Sequence, residues 1–198
     1  AIRHMAERLT QKFGQGFAVE NVAAAAGLVG LDRLSKARTD GLVVAALNNS
    51  IMTILPHLQA KNMKVDTRKD FVPVAGIANM ALSLAQPFLS DGKVRLIGYC
   101  GTERHAQFRD IPTLQEQGVA NYDYSSWIAL FFHKDVPLEV VDILRREAQS
   151  ISEDRDFQVQ LIRSGLEPWP KTAKQLERIV ESDFQRWKKI IQDANIQG

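Results

Sequence analysis

The polar triplet Asn48-Asn49-Ser50 is the first place in this sequence where side-chain types and spacing suit chemistry. It follows the apolar run Leu42-Val-Val-Ala-Ala-Leu47 and precedes a helix-like segment that carries Thr53 one turn on. Amide, hydroxyl and backbone N–H donors gathered at a strand-to-helix turn suit an anion such as a carboxylate. The same residues serve equally as a turn that caps the helix. Ser125 and Ser126, just before Trp127, offer two more hydroxyls. On their own they read as the polar face of an alternating strand. A nucleophilic serine is not expected, because no Gly-x-Ser-x-Gly elbow surrounds the pair. His4, His57, His105 and His133 show no metal-ligand spacing, and His105 near Cys100 supplies only two ligands, which do not make a zinc site. No cofactor-binding glycine loop is present. The expectation is therefore no catalytic residues, no metal and no cofactor.

The elements that would position these groups follow from periodicity. Ile2, Met5, Ala6, Leu9 and Phe13 share one helical face and Gly14 stops it. Phe17 to Glu20 reads as a short strand. A second helix starts between Gly27 and Gly30, turns Leu28, Leu31 and Leu34 inward, and ends near Asp40-Gly41. The run 42–47 fits a parallel strand covered on both faces. A helix-like segment from Ile51 to Leu58 follows, disturbed by Pro56. Further strands are expected over Asp70 to Ala78, Val94 to Tyr99 (after the Asp91-Gly92 turn) and Tyr122 to Phe132. Thr113 would cap a short helix ending at Gly118. Near the end, Val141, Leu144, Ala148 and Ile151 form a helical stripe behind Pro137, and Thr172 with Gln175 forms a capping box. That box opens a long helix burying Leu176, Ile179, Val180, Phe184, Trp187 and Ile191. Trp127, Trp169 and Trp187 read as packing residues. Strands alternating with helices predict an α/β fold with a largely parallel sheet.

Composition narrows the partners. The 198 residues carry 25 basic and 23 acidic side chains for a net charge of +2, which points to neither nucleic acid nor a membrane surface. With one cysteine there is no intrachain disulfide. No stretch reaches the ~18–20 apolar residues of a membrane span, so the protein is not expected to be embedded in a membrane.

Several stretches resemble, in order, a family of transporter receptors. Phe13-Gly-Gln-Gly-Phe-Ala-Val-Glu-Asn21 is similar to its LGQPVVVEN strand, and Asp70-Phe-Val-Pro-Val74 to DFAPV. Pro87 to Arg95 is similar to PHIKAGKLR, and Ile111-Pro-Thr-Leu-Gln-Glu-Gln-Gly118 to VPTVAEAG. Ser125 to Phe131 resembles SSWFGLF, and Gly165-Leu-Glu-Pro168 the C-terminal end. The family is that of the tripartite tricarboxylate transporter substrate receptors (Bug, or TctC-like). The resemblance implies two α/β lobes of the type II periplasmic-binding-protein kind closing on a small carboxylate. It implies an extracytoplasmic (periplasmic) receptor with a membrane transporter as partner, and it places Asn48, Asn49 and Ser50 on the cleft-lining loop, with Thr53 one turn on as a weaker ligand candidate. Ser125 and Ser126 are carried as weaker cleft candidates.

Two departures qualify it. Where the family has Arg-Pro-Gly-Ala-Gly this chain has Val22-Ala-Ala-Ala-Ala26, and alanine takes positive φ less cheaply than glycine. The chain also opens inside a helix, and the match jumps near 80/81. The expected division is residues 1–80 as the first part of lobe 1 and 81–198 as the end of lobe 2, the crossover and the C-terminal helices, with an N-terminal piece and most of lobe 2 missing. The alternative function is the ligand-sensing effector domain of a bacterial transcription regulator, which shares a related two-lobed fold and would carry a helix-turn-helix upstream.

Overall fold

The computed structural model describes residues 1–22, 24–80, 93–105, 108–120 and 122–196. Its centre is a four-stranded sheet. The strands are β1 (Ala45–Asn48), β2 (Phe71–Asn79), β3 (Trp127–His133) and β4 (Glu167–Pro168), in the spatial order β1-β3-β2-β4. The helices are α1 (Ile2–Phe13), α2 (Leu28–Ser35), α3 (Leu55–Leu58), α4 (Leu138–Glu153), α5 (Arg155–Arg163) and α6 (Ala173–Asp193).

Helices cover both faces of the sheet. Met5 and Leu9 of α1 meet Val141, Leu144, Ala148 and Ile151 of α4, Phe157 and Leu161 of α5, and Val74 and Ile77 of β2. On the other face Leu31 and Leu34 of α2, Met52, and Leu176 and Val180 of α6 meet Trp127, Ala129 and Phe131 of β3. The alternation within β3 assigns its sides, since Leu130 and Phe132 join the first cluster. Fully burying a side chain of this size stabilises by about 1.5–3 kcal/mol, so two filled layers hold the sheet between them.

Local signals act as the sequence predicts at both ends of the chain. Gly14 adopts φ 64° and donates its N–H to the Thr10 carbonyl, ending α1. Thr172 and Gln175 form the reciprocal capping box at the start of α6. Asp154 caps α5 through the Phe157 N–H at 2.9 Å. All four predicted stripe residues of α4 are buried, and Pro137 sits at the N-cap of that helix.

The sheet itself differs from the expectation of a largely parallel one. Every strand pairing among the described residues is antiparallel. β1 and β2 do run the same way, but β3 returns between them and pairs with both. The run 42–47 is consequently not a strand covered on both faces: β1 begins at Ala45, pairs on one side only, and leaves Leu42 84% exposed. Phe17 to Glu20 stays outside any strand, and the Phe17 N–H bonds the Thr10 hydroxyl at 3.0 Å instead of a neighbouring backbone. Val94 to Tyr99 forms no strand either. Among the described residues its one ladder contact is a bridge from Tyr99 to Thr113, and Ile97 is 71% exposed. α2 ends at Ser35, short of Asp40-Gly41. Ile51 to Leu58 splits into a π-helical turn, Ser50–Ile54, followed by α3. Thr113 accepts the Glu116 N–H at 3.1 Å, but the segment to Gly118 is a turn. β3 starts at Trp127 and not at Tyr122. The Asp91-Gly92 turn, and residues 87–92 of the Pro87–Arg95 match, lie outside the described residues.

Candidate functional site

The carboxyl end of β1 places the predicted cluster. Asn48 pairs with Ile128 of β3, and its side-chain oxygen accepts the Ile51 N–H at 3.0 Å. Asn49 is 1% exposed. Its amide donates to the Ser125 carbonyl at 3.0 Å, and its amide oxygen accepts the Ser126 hydroxyl at 3.2 Å. The Thr53 hydroxyl, fully buried, donates to the Asn49 carbonyl at 2.7 Å. The Met80 N–H reaches the Ser126 carbonyl at 2.7 Å. Asn49, Thr53, Ser125 and Ser126, far apart in sequence, thus form one hydrogen-bonded knot where three segments leave the sheet. Ser50 opens the π-helical turn and is half-buried. In this knot Asn49 ties the loop to the 125–126 segment and Thr53 braces Asn49 within the loop, while the Asn48 amide nitrogen and the Ser50 hydroxyl have no bond of their own among the described residues.

Beside the knot lies a cleft of about 430 Å³ that Ser125 also lines. Asn79, at the carboxyl end of β2, forms its floor together with Glu167 of β4, its register partner. The rim comes from Tyr99, Thr102, Glu103, Arg104 and His105, and Asp123 lines the cleft on the same segment as Ser125. Tyr99 donates its hydroxyl to Glu167 Oε1 at 2.7 Å, and His105 Nε2 lies 3.0 Å from the same oxygen. The Tyr99 and His105 rings meet edge to face at 5.4 Å. Burial first, and then the hydrogen bond to Glu167, pushes the Tyr99 hydroxyl well above its usual range, so it remains a donor. This clasp fixes the segment around residues 99–105 to the sheet.

Sequence reasoning missed most of this cleft. Glu167 lies in the Gly165–Pro168 stretch and His105 is close to Cys100 in sequence, but nothing in the sequence pairs these distant residues or sets Asn79 beside them. The position of Asn79 at a strand's carboxyl end was the one usable signal.

The sequence profile described as "Tripartite tricarboxylate transporter family receptor" matches residues 1–85 and 76–196. The chain belongs to this family. Among curated proteins it is 31% identical over 121 residues to a UPF0065 protein of Bordetella pertussis, covering 61% of this chain and 38% of that protein. The matched stretch thus spans less than half of that relative. Among solved structures, R. palustris Rpa4515 with adipate superposes with a TM-score of 0.87 at 20% identity, over 99% of this chain and 92% of that one. MatC from Rhodopseudomonas palustris with bound malate gives 0.81 at 17% identity, over 96% and 92%. These structures share the α/β periplasmic-binding-protein fold with this chain. No helix among the described residues is long and apolar enough to cross a membrane.

Proposed function

We propose that this chain is an extracytoplasmic solute-binding receptor that captures a small carboxylate and presents it to the membrane subunits of a tripartite tricarboxylate transporter, without catalysing a reaction. The observation that carries this reading is the family match along both stretches of the chain. The adipate and malate held by two similarly folded proteins support a carboxylate as ligand class. In this reading the Asn48 amide, the Ser50 hydroxyl and the Ser125 side chain face the ligand, while Asn49, Thr53 and the Ser126 hydroxyl, which donates to Asn49, hold the loop that presents them. The receptor would act in the periplasm, with a hinge motion closing the cleft.

The family match in two stretches that meet at 76–85 also supports a chain in which the first lobe runs directly into the end of the second, near 80/81. The regulator reading has no observation of its own in its favour.

The test is a melting series of the full chain with di- and tricarboxylates. A ligand at one hundred times its Kd stabilises a folded protein by about 2.7 kcal/mol, so the binding acid raises Tm. An unchanged Tm across every organic acid overturns the receptor reading.

A further inference from the structure

The carboxyl half of α6 grips the segment 122–126 from outside the cleft. Arg186 Nη1 donates to the Asp123 carbonyl at 2.8 Å. The Tyr124 ring stands edge to face on Trp187, with 5.9 Å between centroids. Next along the chain, the Trp127 indole N–H donates to Asp183 at 2.9 Å. Asp123 and Ser125 line the cleft, and the Tyr124 N–H bonds the Cys100 carbonyl at 3.1 Å. A shift of this segment therefore moves one cleft wall and pulls on the 99–105 rim.

Two donors at this junction are incompletely matched. Trp187 Nε1 is buried and has no hydrogen-bond partner, a state that disfavours the arrangement until an acceptor arrives. Its neighbour Arg186 shares itself between two carboxylates: Nη2 donates to Asp183 Oδ1 at 3.3 Å, but Nη1 stands 4.0 Å from Asp123 Oδ2. A guanidinium–carboxylate hydrogen bond closes to about 2.7–2.9 Å. The segment opposite carries two side-chain acceptors that can complete both groups, the Tyr124 hydroxyl and the Asp123 carboxylate. The first half of α6 is fixed by contrast, with Leu176 and Val180 in the core and the capping box closing its start. We infer that the carboxyl half of α6 is a two-position latch on the cleft. In the position described, Arg186 holds the Asp123 carbonyl. In the second, the 122–126 segment shifts so that the Asp123 carboxylate closes on Arg186 and Trp187 gains an acceptor. This inference rests on the receptor reading above and gives that site a control lying outside the cleft.

Nitrogen-15 relaxation dispersion and saturation transfer on the full chain read the latch without any ligand. The Trp187 indole and the 122–126 amides are expected to exchange at one shared rate, while the 176–180 amides stay flat. Arg186→Met should abolish the shared exchange. Asp123→Asn keeps the carbonyl that Arg186 holds and removes the charge that the second position uses. It should cut the population of that position about two- to fivefold, the worth of one exposed ion pair. Asp123 is exposed, so its variant keeps the fold and decides the matter even if Arg186→Met does not fold. Absence of exchange at Trp187 or in 122–126, separate rates at the two, or a population unchanged in Asp123→Asn overturns the latch and leaves the receptor standing. Shared exchange that responds to Asp123→Asn in a protein whose Tm no organic acid raises supports the latch and overturns the receptor reading alone.

Discussion

Asp183 and Asp70 are carboxylates at packed junctions whose environments push them in opposite directions. Burial raises Asp183, and the Trp127 indole N–H at 2.9 Å and Arg186 only partly offset it. The Lys134 ammonium at 3.0 Å and the Asp66 N–H at 2.8 Å hold Asp70 below its usual range. The signs follow by linkage. Asp183 contributes stability that is fully present below the unfolded value of about 3.9 and is lost as pH rises through its folded value. Asp70 contributes stability above about 3.9 that is lost as pH falls through its depressed folded value. Asp183→Asn keeps an oxygen for Trp127. It should therefore raise the urea midpoint at neutral pH, and the gain should vanish toward acid. Asp70→Asn should lower the midpoint at neutral pH and flatten the acid limb of the profile. Backbone strain offers a second prediction at this scale. Ala25 and Ala26 stand at φ 48° and 53°, in the left-handed region, and Ala26 occupies a position where the family pattern has glycine. A non-glycine residue there costs roughly 1–2 kcal/mol, less the extra unfolded-state entropy that glycine brings back. Ala26→Gly should raise Tm slightly, and a fall in Tm would contradict the assignment of strain.

Among the elements, β2 is the one that tolerates least change. Its small residues let the 169–172 segment close over it. Gly76 donates its N–H to the Lys171 carbonyl at 2.7 Å, and a Cβ there would stand 2.8 Å from Trp169 Cε3 and 2.9 Å from the Trp169 carbonyl oxygen. Trp169 cannot retreat, because it stacks on Trp127 at 5.8 Å with the rings 7° apart. Overpacking of this kind costs about 1–3 kcal/mol. Gly76→Ala should lower the denaturant midpoint accordingly and shift the tryptophan fluorescence. At the other side of the sheet, the Glu167 clasp should govern the 99–105 segment without touching the core. Glu167→Gln is expected to leave the global Tm nearly unchanged while amide exchange in 99–105 speeds up.

At the scale of the whole molecule, stability is concentrated in one place. β2 and β3 are sandwiched between two helical layers, whereas residues 93–105 and 108–120 contribute a single isolated bridge. Hydrogen exchange should show β2 and β3 opening last and the 93–120 region first. The proposed junction near 80/81 has a direct check. Trypsin digestion should yield a peptide running unbroken from Asp70 to Lys93. A peptide that leaves this sequence after Met80 and enters another lobe would overturn the short-circuited architecture.

What the sequence determined is what depends on near neighbours along the chain. Gly14 ends α1, Thr172 and Gln175 open α6, and the 141–144–148–151 stripe buries α4, because caps and helical faces are written within a few residues. The polar turn after the 42–47 run was legible for the same reason, as was the resemblance carried by short ordered motifs. Strands obey a different rule, since an extended segment becomes a strand only where another backbone meets it. Tertiary structure alone therefore decided that Phe17–Glu20 and Val94–Tyr99 stay outside the sheet, and that β3 inserts between β1 and β2 to make the sheet antiparallel. It also decided the site's contents. Asn49 meets Ser125 across 76 residues and Tyr99 meets Glu167 across 68, and at such separations only the packing of the whole chain selects which polar groups face each other and which are left open to a ligand.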